Sequence, residues 1–189
     1  MMQLIDFLLN YAPYDDAEEG AVRSFRQFLQ AFGDKAYSRD NLIGHLCASS
    51  WIVNRERNKV LMVYHNLYDS WSWTGGHADG CMNLPVVALR EAREETGLER
   101  AVFLREEPLD LNVLSVYNHV KRGVFVPTHL HFNVVYLLEA DEKEALRCKS
   151  DENSGVKWID FEQVQSYCGE KEILPYYKRI MEKIGKMKK

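Results

Sequence analysis

The sequence predicts an α/β fold, an α/β/α sandwich around a mixed β-sheet with an N-terminal helical extension. Three observations carry that expectation. Apolar runs with strand-like patterning are interleaved with two substantial helical segments. Hydrophobic residues make up 46% of the chain and aromatics 12%, enough for a packed core and against disorder. The length of 189 residues suits one ordinary domain with an appendage.

The first forty residues read as helix. Leu4, Ile5, Leu8 and Leu9 form an apolar stripe that Ala12-Pro13 ends. A second helix begins at Asp15 or Asp16, each followed three residues later by a glutamate in capping-box fashion. Its stripe is Val22, Phe25, Phe28/Leu29 and Phe32, and Gly33 stops it. Residues 1–38 form the predicted extension and residues 39–189 the main domain. Apolar stripes are usually core, so the hairpin is expected to pack on the main domain; the alternative is a lid or a dimer arm. From Asn41 the pattern changes to strands. Leu42–Val53 and Lys59–His65 are joined by a polar turn, and an aromatic loop with Tyr68, Trp71 and Trp73 follows. Further strands are expected at Leu109–Tyr117 and Leu130–Glu139, with a turn around Lys121-Arg122-Gly123 between them. Asp151–Gly155 reads as a loop, Val156–Ile159 as a short strand, and Phe161–Tyr167 and Ile173–Ile184 as closing helices.

Charge excludes several partner classes. A net charge of −4 and a pI near 5.9 offer no electrostatic reason to bind nucleic acid or an acidic membrane. Lys183, Lys186, Lys188 and Lys189 make a local basic tail, which reads as a solvated end. Cys47, Cys81, Cys148 and Cys168 form no CxxC pair and read as reduced thiols, neither a disulfide frame nor a zinc site. Met1–Tyr11 is apolar but short, carries Asp6 and has no basic leader, so it reads as neither a signal peptide nor a membrane span, and cytoplasm is the expected location.

The chain is organised around Gly75–Leu98, GGHADGCMNLPVVALREAREETGL. Glu91, Glu94 and Glu95 stand at i, i+3 and i+4, so a helix places all three on one face. Adjacent carboxylates repel, and a divalent cation of the Mg²⁺ or Mn²⁺ kind removes that repulsion. Gly75-Gly76 lets the backbone turn and come close to an ion or a phosphate. Asn83 can cap the helix, Pro85 fits its first turn, and Gly97 with Leu98 closes it. His129, His131 and Asn133 alternate along one strand, so they share a face, while Leu130, Phe132, Val134 and Tyr136 face the core. A His-x-His pair can bind a transition metal or contact phosphate, but the sequence identifies no third ligand, and a polar strand face near a cleft is the simpler expectation.

Gly76 to Leu98 resembles the Nudix hydrolase signature: Gly, five residues, Glu, seven residues, Arg-Glu-aliphatic-any-Glu-Glu-any-Gly-aliphatic. Arg90 through Leu98 fits, with Ala92 in the aliphatic slot, and the resemblance spans roughly residues 40–170. One position departs: Met82 stands where the first motif glutamate is expected, and Asp79 in the same turn is a candidate to replace its charge. The resemblance implies that Glu94 and Glu95 are direct metal ligands. Glu91 is then a third ligand or the base that activates water, and the carbonyl of Gly75 or Gly76 joins the metal shell. Arg90 would orient a carboxylate. Glu152, six residues before Trp158, is a second candidate for the base or a ligand.

His77, His129 and His131 are candidates for phosphate contact, and Trp71, Trp73 and Tyr68 for stacking on a base or sugar. The implied activity is Mg²⁺-dependent (Mn²⁺ is a possible substitute) hydrolysis of a diphosphate bond in a nucleoside diphosphate linked to another moiety. The implied partner is that small molecule, with a homodimer as a further possibility. Two alternatives accompany this reading. A Nudix-fold binding or regulatory domain with weakened catalysis is motivated by Met82. An isoprenoid diphosphate isomerase, with a reactive Cys and a His-rich metal site, is suggested by Cys81 and the histidines but disfavoured by the intact Glu triad.

Overall fold

The computed structural model describes residues 4–121, 123–151 and 153–187. Two helices open the chain, α1 (Leu4–Asn10) and α2 (Asp16–Phe32). Asp15 is the N-cap of α2, its carboxylate accepting from the Glu18 N–H at 2.8 Å, and Gly33 ends the helix with φ at 52°. Glu18 departs from the expected capping box. It does not turn back to the cap; its buried carboxylate accepts from the Tyr14 N–H, the Tyr11 hydroxyl, the Leu111 N–H and Lys183.

The strands are β1 (Gly44–Val53), β2 (Lys59–His65), β3 (Ser70–Ser72), β4 (Thr74–His77), β5 (Val102–Phe103), β6 (Asp110–Val116), β7 (His119–Lys121), β8 (Val124–Val126), β9 (His129–Glu139) and β10 (Asn153–Asp160). Helix α3 (Leu84–Thr96) follows β4, and α4 (Val164–Tyr167) and α5 (Leu174–Met187) close the chain. The main sheet runs β10-β2-β1-β9-β5, with β3 on β2, β4 on β1 and β6 on β9; β7 and β8 form a separate hairpin. The parallel pair β1–β9 is its spine, in register from Gly44↔Leu130 to Val53↔Glu139. One edge of β1 is shared: β2 pairs antiparallel at Ile52 and Val53, while β4 takes Cys47 to Ser50. That divergence splays the sheet at the N-terminal end of β1, which leaves room for a cleft there.

Alternation sorts the side chains of both spine strands. Leu46, Ala48 and Ile52 of β1 and Phe132, Val134, Tyr136 and Leu138 of β9 join α1, α2 and α3 in one core. Phe132 stacks on Phe28 and meets Phe25 edge-on, so the N-terminal hairpin packs against the sheet. Trp51, Val53, Val135 and Leu137 point the other way and pack on Tyr177, Ile180 and Ile184 of α5. Helices therefore cover both faces, the expected three-layer sandwich. Two differences from the sequence reading stand out. β10 extends back to Asn153, because pairing with β2 draws in residues read as loop, and Phe161–Gln163 is a tight 3-10 turn before the short α4.

Lys183 is the clearest correction. It reads as part of a solvated basic tail, yet it is 9% exposed and bonded to Glu18 at 2.6 Å and Asp110 at 3.0 Å. Arg179, one turn earlier, grips Asp110 with two N–H groups at 2.7 and 2.8 Å and reaches Asp15 at 3.1 Å. The helix period puts both cations on the face of α5 that meets β6 and α2, and burial there demands matched carboxylates. Asp110→Ala leaves two buried cations short of a partner and is expected to destabilise the chain by about 3–5 kcal/mol. Urea denaturation measures this; a loss under about 1 kcal/mol would show that the cluster contributes little.

Candidate active site

Strand β4 and helix α3 meet at the glycine pair. A Cβ on Gly76 would sit 2.4 Å from the Glu91 carboxyl carbon, and one on Gly75 would sit 2.4 Å from Ser49 Oγ. Only glycines allow β4 to pass between β1 and the helix so closely. The helix ends as its sequence dictates: Gly97 adopts a left-handed φ of 76°, its N–H bonded to the Arg93 carbonyl. Asn83 occupies the N-cap position, but its side chain makes no capping bond.

The three helix carboxylates have different surroundings. Glu95 is 4% exposed; its Oε2 accepts from the Gly75 N–H at 2.9 Å and its Oε1 from Asn153 Nδ2 at 3.1 Å. Glu91 accepts from Arg90 Nη2 at 2.8 Å and lies against Gly76. Glu94 is more exposed, with Arg90 Nε at 3.9 Å and Lys149 Nζ at 3.8 Å. Arg90 thus bridges two of the three, gripping Glu91 more closely than Glu94. The three side chains offer only oxygen atoms, the ligand type that suits a hard divalent cation. Met82 is half exposed and brings no oxygen to this set. Asp79 is committed elsewhere: its two oxygens accept from Arg39 Nε at 2.5 Å and Nη2 at 2.8 Å.

A cleft of about 550 Å³ opens beside β4. Glu95, Gly75, Gly76 and His77 line it, as do Tyr68 and Trp73. Trp73 is also core, edge-on to Tyr177. Trp71 is not brought to the cleft; it packs edge-on between Tyr64 and Tyr167. His131 lines the cleft, whereas His129 is buried behind it. Glu152 lies outside the described residues, but its neighbour Asn153 is the one held on Glu95. The cleft floor is polar: Ser49 donates to Asn133 at 2.8 Å, Asn133 to Asn112 at 3.2 Å, and Asn112 to Asp110 at 3.1 Å. This ladder ties the floor to the buried charge cluster on α5.

Sequence reasoning missed a cluster on that floor. His45 and Cys47 of β1 stand in register with His131 of β9 and His77 of β4 respectively. The ligand atoms of His45, Cys47, His77 and His131 lie within 4.8 Å of one another. Burial and the neighbouring imidazole of His129 push the pKa of His45 down to about 4, and burial with the surrounding histidines pushes that of His131 to about 2. Burial pushes the Cys47 thiol up. The only signal in the sequence was His-x-Cys and His-x-His spacing on two strands, with nothing to say that those strands are neighbours.

A family model for the NUDIX domain matches residues 45–181. The chain therefore belongs to the NUDIX family, as a Nudix-type pyrophosphohydrolase. The fold is shared with an Ap4A hydrolase from C. elegans at 15% identity and a TM-score of 0.54, covering 75% of this chain and 96% of that one. It is shared with a Nudix hydrolase from M. smegmatis at 14% identity and a TM-score of 0.55, covering 76% and 88%. The E. coli dihydroneopterin triphosphate pyrophosphohydrolase is similar at 15% identity and a TM-score of 0.53, covering 78% and 97%. No curated protein matches the sequence. Among the described residues, no helix is long and apolar enough to cross a membrane.

Proposed function

We propose that the chain hydrolyses a diphosphate bond in a nucleoside diphosphate linked to another moiety, with Mg²⁺, or Mn²⁺ in its place, as the required cation. The observation that carries this reading is the buried Glu95 carboxylate, fastened to the glycine strand at the edge of the cleft with Glu91 pressed against Gly76. Glu91, Glu94, Glu95 and the Gly76 carbonyl would hold the cation. When bound, it would neutralise phosphate oxygens and polarise phosphorus. The residues of the chain supply the rest. Arg90 keeps Glu91 in place, His77 and His131 line the cleft, and the Tyr68 and Trp73 rings bound the space for the base or sugar. Glu152 is the proposed general base. Free cysteines at all four positions support a reducing, cytoplasmic setting.

A panel of nucleoside diphosphate derivatives incubated with Mg²⁺ and assayed for phosphate-ester products tests the reading. Turnover of any member supports it; tight binding without turnover makes the chain a regulatory domain; isomerisation of an allylic diphosphate alone would make it an isomerase. Met82 sharpens the second outcome. Because Asp79 is paired with Arg39, nothing in the turn replaces the missing carboxylate. Met82→Glu is expected to lower the Mg²⁺ concentration for half-maximal activity. A requirement that stays the same or rises would mean that another group already fills the position.

A further inference from the structure

We infer that His45, Cys47, His77 and His131 form a second metal site, for a zinc-class transition ion, separate from the carboxylates of α3. The argument begins with the sheet. Gly76 faces Glu91 on the helix side, so by alternation Gly75 and His77 face the other way, alongside Ser49 and Cys47. Glu91 and the His/Cys group are thus on opposite faces of β4, and Glu95 stands at the edge of the cleft. Three adjacent strands deliver the four ligands, which gives the site a rigid frame. Their ligand atoms already lie within 4.8 Å of one another. In a tetrahedral zinc site with bonds of about 2.0–2.3 Å, such atoms stand roughly 3.3–3.8 Å apart. Side-chain adjustments of about 1 Å close that gap.

Two further observations point to a ligand. His45 is 4% exposed, and neither of its ring nitrogens has a partner at hydrogen-bonding geometry. A buried imidazole without partners is costly, and a metal bond removes that cost. The Asn41 backbone lies near enough to that ring to favour its charged form. The second observation is a tautomer relay. The Pro127 carbonyl, 2.8 Å from His129 Nδ1, can only accept, so Nδ1 carries the hydrogen. In a neutral His129 ring, Nε2 is then bare and accepts from His131 Nε2, 3.2 Å away. His131 is left with a free lone pair on Nδ1. That is the arrangement of a metal-binding histidine whose other N–H is held by an outer partner.

The donor set decides the ion. Three imidazoles and a thiol suit Zn²⁺ or Co²⁺ and are poor ligands for Mg²⁺. Four protein ligands make a closed, structural site. Binding converts the Cys47 thiol to a thiolate and releases its proton to solvent. The bound ion would pin β1, β4 and β9 together beneath the cleft and so hold the glycine strand on which Glu91 and Glu95 rest.

The test uses the full chain, stripped with chelator and titrated with Co²⁺ in excess Mg²⁺. The expected result is one Co²⁺ per chain, with the intense visible bands of a tetrahedral site and a near-ultraviolet thiolate charge-transfer band. Cys47→Ser should remove the charge-transfer band while retaining weaker Co²⁺ binding. His45→Ala and His131→Ala should each cost more than the roughly 10–100-fold expected for removing the outer partner in His129→Phe. Glu94→Gln should leave the spectrum unchanged, which separates this site from the helix carboxylates. The inference is overturned by a wild-type chain without the thiolate band, by a band that survives Cys47→Ser, or by displacement of Co²⁺ by Mg²⁺. Zn²⁺ should also raise the melting temperature of the stripped protein, a readout independent of turnover. Failure of Mg²⁺-dependent hydrolysis leaves each of these readouts unchanged, so the two proposals fail separately.

Discussion

Glu95→Gln is expected to cut turnover by about 10³-fold or more at limiting Mg²⁺ while leaving the fold intact. A cation that stabilises transition-state charge contributes several kcal/mol, and each 1.36 kcal/mol is tenfold in rate. Glutamine keeps the shape of glutamate and loses its charge. Both Glu95 oxygens accept hydrogen bonds, from the Gly75 N–H and Asn153 Nδ2. A glutamine can accept only one of these, and its amide N–H₂ must face the other partner. Asn153 can answer by turning its own amide, because its Oδ1 is buried and without a hydrogen-bond partner. The packing is therefore conserved, and the melting temperature should change little. Turnover measured against Mg²⁺ concentration, with a thermal melt on the same sample, checks both halves. Unchanged turnover at limiting Mg²⁺ removes Glu95 from the metal set.

Glu152→Gln is expected to lower kcat by roughly 10²–10⁴-fold, the usual worth of a general base, with almost no change in Mg²⁺ affinity. The three helix carboxylates are already engaged: Glu91 with Arg90, Glu94 with Arg90 and Lys149, Glu95 with two amide donors. A proton acceptor drawn from another segment is thus the simpler arrangement. If added Mg²⁺ restores the lost rate, Glu152 is a ligand. If no rate is lost, Glu91 is the base and Glu152 a solvated acid. Single-turnover kinetics at saturating Mg²⁺ separates these cases.

The strongest local signals were legible in the sequence. Helix α3 ends where Gly97 requires it, and β2 runs over the residues of its apolar run, because glycine conformation and side-chain alternation act within a few residues. The Nudix-type motif is of the same kind, since its spacing is a property of one loop and one helix. Short strands were harder. β3 and β4 hold only three and four residues, and β4 is a strand because β1 leaves half an edge for it, which no local pattern announces.

What the sequence by itself determined was chemistry confined to one element: three carboxylates on a helix, a glycine pair ahead of them, a stripe that buries α2. The tertiary structure decided every grouping that crosses elements. It turned Lys183 from a tail charge into a buried partner of Glu18 and Asp110, and paired Asp79 with Arg39. It brought His45 and Cys47 beside residues 30 to 86 positions further along the chain by setting β1 between β4 and β9. Periodicity is a local property of the chain, whereas strand order is chosen by the burial of whole faces at once, so residues far apart in sequence meet only when the sheet is complete.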